Sequence, residues 1–149
     1  MDVFARLLRS HASLTRTLSA QLLAEHGLTL NDYEALLHLS HADGQRMRRV
    51  DLADSLLLTA SGVTRLLDGL ESCGLVARDT CPSDRRVAYA VLTDAGRERL
   101  EAASSSHLAA IASTFQGRFS DAELVELADL LGRLPGAGGE DGSACSPPE

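Results

Sequence analysis

Thr59-Ala-Ser-Gly-Val-Thr-Arg-Leu-Leu-Asp-Gly-Leu-Glu-Ser-Cys-Gly74 runs directly into Leu75-Val-Ala-Arg-Asp-Thr-Cys-Pro-Ser-Asp-Arg-Arg86 and Val87-Ala-Tyr-Ala-Val-Leu-Thr93. In the first part Val63, Leu66, Leu67 and Leu70 recur at three- and four-residue spacing, which predicts a helix with one apolar face. Thr59 or Ala60 opens it, and Gly74 supplies a left-handed stop. In the remainder, apolar runs at 75–77 and 87–91 flank a turn rich in Pro, Ser and Asp, the chemistry of a hairpin with a long loop. Adjacent arginines, Arg85 and Arg86, stand at its tip. A helix with short polar residues at its start, followed at once by a basic hairpin, has the layout of a device that reads a DNA groove.

Outside this stretch the chain is helical in pattern. Phe4, Leu7, Leu8, Leu14, Leu18 and Leu22 mark a long amphipathic first helix that ends near Gly27. Thr29 with Asp32 predicts the cap of a second helix carrying Tyr33, Leu36, Leu37 and Leu39 and stopping at Asp43-Gly44. Val50, Leu52, Ala53 and Leu56 make a short third helix. After the hairpin, Thr93 caps a fifth helix running to about Gly117, and Ser120-Asp-Ala-Glu123 is a capping box for a sixth that ends before Pro135. The last segment is poor in hydrophobic residues, and disorder is expected over 135–149. The expected fold is therefore mainly α with a small β-hairpin: a winged helix-turn-helix over 28–93, flanked by helices at 1–27 and 94–134. Those outer helices are too long and too leucine-rich for the small central unit alone, so a twofold dimer is expected.

Composition narrows the function classes. The 149 residues suffice for a real core. No apolar run is long enough to span a membrane, and no basic region followed by an apolar block opens the chain, so a cytoplasmic protein without membrane association is expected. A net charge of −7 argues against indiscriminate nucleic-acid binding. The 46–86 window holds seven arginines against six acids, so binding must rely on a few well-placed arginines and on two copies acting together. Cys73, Cys81 and Cys145 lack metal-ligand or disulfide spacing; they suit small filler and an exposed thiol, with a redox role for Cys73 or Cys81 as the other reading. No phosphate loop, Gly-x-Ser-x-Gly or base-linked carboxylate pair is present, so neither catalysis nor a cofactor is expected.

On these motifs the chain resembles the MarR family of bacterial transcriptional regulators over about residues 3–134. The resemblance rests on Leu28-Thr29, on Val63-Thr64-Arg65-Leu66-Leu67-Asp68 with Leu70-Glu71 and Gly74-Leu75-Val76, on Arg78, on Asp84-Arg85-Arg86, and on Leu92-Thr93-Asp94-Ala95-Gly96. It implies a homodimeric winged-helix protein, usually a repressor, that binds a pseudo-palindromic operator in double-stranded DNA and is often released by a small ligand.

Specific residues follow. Thr59, Ser61, Gly62, Thr64 and Arg65 crowd the first turns of the fourth helix, where small hydroxyl side chains and a helix N-terminus suit base edges and phosphates. Equally, Thr59 suits a simple cap and Thr64 an ordinary helix surface. Asp84 and Arg86 are two apart and share a face if extended, so the acid could orient an arginine for a narrow minor groove. By resemblance Arg85 or Arg86 enters it. Arg46, Arg48 and Arg49 suit either phosphate contact or a solvated loop. His11, Arg16, Tyr33 and His38 lie on the first two helices, where the family commonly keeps a pocket for a small aromatic or anionic effector. His38 and His41 share a helix face, a spacing that permits metal binding, although no acid or thiol completes a set.

Overall fold

A computed structural model describes residues 2–80 and 87–135. Among them the elements run α1 (Asp2–His26), α2 (Leu30–His41), a 3-10 turn (Asp43–Gln45), β1 (Arg46–Arg48), α3 (Arg49–Ser55), α4 (Ala60–Ser72), β2 (Val76–Thr80), β3 (Ala88–Leu92), α5 (Asp94–Phe115) and α6 (Asp121–Gly132). The chain divides into two compact units, Met1–Ile111 and Ala112–Glu149.

In the first unit, helix boundaries follow the capping chemistry. Thr29 Oγ1 accepts from the Asp32 amide at 3.2 Å while Asp32 accepts from the Thr29 amide at 2.8 Å, a reciprocal box that opens α2. Tyr33, Leu36 and Leu39 then fall on one buried face. Thr59 caps α4, and Val63, Leu67 and Leu70 anchor it to the core. Gly74 ends that turn of chain at φ +71, a conformation open to glycine at little cost. The core also takes in Leu22 of α1 and Leu100 and Ala103 of α5, so the helices on either side of the α2–β3 segment contribute to its interior.

The sheet has three strands where a two-stranded hairpin was expected. Its order is β1-β3-β2, antiparallel throughout, with Met47 and Arg78 both opposite Ala90. The added strand is Arg-Met-Arg. Three residues are too few for their alternation to register, and the pairing depends on β3, more than forty residues away in sequence.

The junction from β3 into α5 is tight. Thr93 Oγ1 donates to the Gly74 carbonyl at 2.7 Å and accepts from the Gly96 amide at 3.0 Å. A Cβ on Gly96 would stand 2.1 Å from the Leu75 carbonyl oxygen and 2.8 Å from Leu92 Cδ1. Only glycine lets the start of α5 approach the base of the wing this closely.

The second unit holds the end of α5 and α6. Ser120 and Glu123 form the expected capping box. The hydrogen bond from the Ser120 amide, then that from its hydroxyl, holds the Glu123 carboxyl below its ordinary range. The Phe115 and Phe119 rings are tilted against each other at 45°, their centroids 6.3 Å apart. α6 has no buried residue.

Candidate nucleic-acid interface

The first turns of α4 form an exposed polar surface built on a buried apolar one. Thr59 Oγ1 accepts from the Gly62 amide at 3.1 Å and lies 3.2 Å from Ser61 Oγ. It is therefore a true helix cap, one of the two roles its sequence position allows. Gly62 fits beneath this cap: a Cβ there would lie 3.2 Å from Thr59 Oγ1 and 3.6 Å from Leu58 Cβ. Ser61 and Arg65 are exposed, and Arg65 has no ion pair among the described residues. Thr64 is differently engaged. Its hydroxyl donates to the Ala60 carbonyl at 2.7 Å and accepts from Arg49 at 2.8 Å, so it faces α3 with its only proton already used.

Behind this surface the base of the wing is pinned on both faces. Arg78 of β2 bonds Glu71 at 2.7 Å and also Asp68, both carboxylates of α4. The next residue, Asp79, points to the opposite face of the strand and meets Arg46 of β1 at 3.4 Å. That guanidinium in turn lies 4.0 Å over the Tyr89 ring. Arg48 makes a bidentate pair with Asp51, at 2.7 and 2.8 Å. Of Arg46, Arg48 and Arg49, the last being the first residue of α3, two thus have carboxylate partners, and only Arg49 does not among the described residues. Sequence reasoning saw this cluster but could not sort it, because Asp68, Glu71 and Asp79 come near the arginines only in the folded sheet.

Asp84, Arg85, Arg86 and Cys81 lie outside the described residues. Cys73 is the exposed C-cap residue of α4. Among the described residues, no group of three or more His, Cys, Asp or Glu could hold a metal ion, and no helix is long and apolar enough to cross a membrane.

A second polar cluster lies where α2 and α5 meet. Tyr33 is buried, with its hydroxyl 3.2 Å from Ser104 Oγ and its ring 4.7 Å from that of His107. His107 is 4% exposed and its Nδ1 has no partner among the described residues; burial lowers its pKa below the ordinary value. Nearby, Arg99 donates to the His26 carbonyl at 2.8 Å and His26 Nε2 lies 2.7 Å from Ser106 Oγ, tying the end of α1 to α5. His11 and Arg16 are exposed on α1 and His38 is exposed on α2; among the described residues none of them is hydrogen-bonded to Tyr33 or to another of the three. The interior cluster of Tyr33, Ser104 and His107 was missed. Its one sequence signal was Ser104-Ser-Ser-His107, a polar run set between the apolar pair Ala102-Ala103 and Leu108-Ala-Ala-Ile111.

Comparison with known proteins adds independent findings. The family model described as MarR family matches residues 26–87. An uncharacterized HTH-type transcriptional regulator of Bacillus subtilis, YkoM, is 36% identical over 98 residues, matched over 65% of this chain and 62% of its own length. The chain thus spans about three fifths of that relative. Among solved structures, AbsC, a MarR family transcriptional regulator from Streptomyces coelicolor, superposes with a TM-score of 0.74 at 36% identity, covering 88% of this chain and 90% of that one. Sco3205, a MarR family transcriptional regulator from the same organism solved in complex with DNA, gives a TM-score of 0.80 at 28% identity over 86% and 80% of the two chains.

Proposed function

The chain belongs to the MarR family, and from that premise we propose that it is a homodimeric, sequence-specific DNA-binding repressor of transcription. The observation that carries this is the exposed start of α4. Thr59, Ser61 and Arg65 stand at a helix N-terminus whose other face is locked into the core, the arrangement by which a helix enters a major groove. The wing extends from a base fixed to that same helix through Arg78, so helix and wing would meet adjacent grooves in one geometry. Arg85 or Arg86, oriented by Asp84, supplies the minor-groove contact in this reading.

Dimerisation over 1–27 and 94–134 belongs to the same reading. The apolar side chains on α1 and α6 that stay exposed in one chain support it, and two copies would offset the acidic balance by engaging two half-sites. Release by a small aromatic or anionic effector follows from the same family reading. Of the sequence-level candidates Tyr33 keeps the best support, since it joins α2 to α5 beside an unpartnered ring nitrogen of His107. His11, Arg16 and His38 would have to join it from the exposed surface.

Mobility shift of the full chain with the DNA upstream of its own gene, run across a salt series, tests the function. A sequence-preferring complex that survives at about 0.1 M salt is expected. Loss of all binding there, with no preference among duplexes, contradicts it.

A further inference from the structure

Arg46, Arg48, Arg49, Arg65 and Arg78 are the described arginines of the reading unit's basic window. Three already sit against carboxylates of the same chain: Arg46 on Asp79, Arg48 on Asp51, and Arg78 on Asp68 and Glu71. Turning any of these toward a phosphate would leave an unpaired acid beside a polyanion, so little is gained by the exchange. Arg65 and Arg49 are in the other state.

Arg49 is held by a neutral group. One of its terminal nitrogens donates to Thr64 Oγ1 at 2.8 Å. That hydroxyl gives its own proton to the Ala60 carbonyl, so its lone pairs are left to face Arg49. The bond fixes where the guanidinium sits without cancelling its charge, and four of its five N–H donors remain for another acceptor. Its place is the second turn of α4, on the helix expected to enter the groove. It also borders an open cleft of about 460 Å³ with Val50, Leu58 and Val63, which leaves an approach from solvent.

We propose that Arg49, docked on Thr64, is a phosphate-contacting residue, and that Arg46, Arg48 and Arg78 are internal struts that neutralise no phosphate. This rests on the DNA-binding reading above. It divides four arginines of one small surface into two kinds, and the two kinds differ in how binding responds to salt. Each neutralised phosphate contributes about 0.9 to the slope of log K against log salt. A strut can weaken binding by misplacing the wing, but it leaves that slope alone.

The test is fluorescence anisotropy with a labelled duplex from the upstream region of the gene, between about 50 and 200 mM salt. Arg49→Gln in a dimer should flatten the slope by about 1.8, because both copies lose one phosphate. Arg49→Lys should keep it. Arg48→Gln and Arg78→Gln should keep the wild-type slope, even where Arg78→Gln lowers affinity. Should Arg49→Gln fail to fold by circular dichroism, Arg49→Met preserves the aliphatic stem that packs in the cleft and serves the same purpose. A folded neutral variant of Arg49 with an unchanged slope overturns the proposal, as does an equal flattening in Arg48→Gln. A wild-type protein that binds no duplex removes the DNA reading, and this assignment with it.

Discussion

Between α2 and β3 the apolar positions picked out by periodicity are mostly buried, whereas in α6 none is. Leu36, Leu39, Leu52, Val63 and Leu67 are closed off within one chain. On α6, Val125 is 72% exposed, and Leu130 and Leu131 are exposed as well, as is Leu134 just beyond the helix. The first half of α1 behaves like α6, with Phe4 at 64%. The residue types are the same in both regions, so hydrophobic content does not explain the contrast. Between α2 and β3 three helices and the sheet close on one another; the start of α1 and α6 carry apolar side chains that the described residues leave exposed. Exposed apolar area of this kind marks an interface, and a second copy of the chain is the occupant proposed here.

The largest expected effect comes from charging those outer faces. Phe4→Asp with Leu8→Asp, or Val125→Asp with Leu131→Asp, should yield a helical monomer by light scattering. Operator affinity should fall roughly 10²–10⁴-fold, the loss expected when two linked contacts become separate. A variant that stays dimeric and binds normally would break the contrast between the two regions.

Next in size is a change inside the closed region. Gly96→Ala forces a methyl group onto the Leu75 carbonyl, where backbone rather than a flexible side chain must yield. Overpacking of this kind costs about 1–3 kcal/mol, and denaturant titration should show it as a lower midpoint. Gly132, with nothing within 4 Å of an added Cβ, should accept alanine without loss. Equal effects at the two glycines would contradict the packing described at the base of the wing.

The smallest effect is pH dependence at the seam between α2 and α5. Burial depresses the His107 pKa in the folded chain, so the unfolded chain takes up a proton first as the solution is acidified. Stability is therefore full above about pH 6.5 and falls as the pH drops below it toward the depressed value. His107→Gln should flatten this part of the stability profile. An unchanged profile would mean that another histidine sets it.

The helices and their caps were legible in the sequence because each is a local pattern. Thr29 with Asp32, Ser120 with Glu123, and Gly74 act over three or four residues. What escaped depends on chain segments far apart in sequence. β1 is a strand because of β3, and Thr64 faces α3 because Arg49 reaches it across fifteen residues. His107 is buried because Tyr33 covers it from α2. Among the site residues, the exposure of Ser61 and Arg65 was readable from helix phase. The division of the arginines into paired and unpaired was not, since, apart from Asp51 three residues from Arg48, the acids that pair them arrive only with the tertiary fold.

The central claim is that two copies of one reading unit act on one operator. Hydroxyl-radical footprinting of the upstream DNA with the full chain tests it most directly. The account predicts two protected segments related by a dyad, one helical turn or about 34–36 Å apart, with two chains per duplex by light scattering. A single protected segment at saturation, with one chain bound, would contradict it.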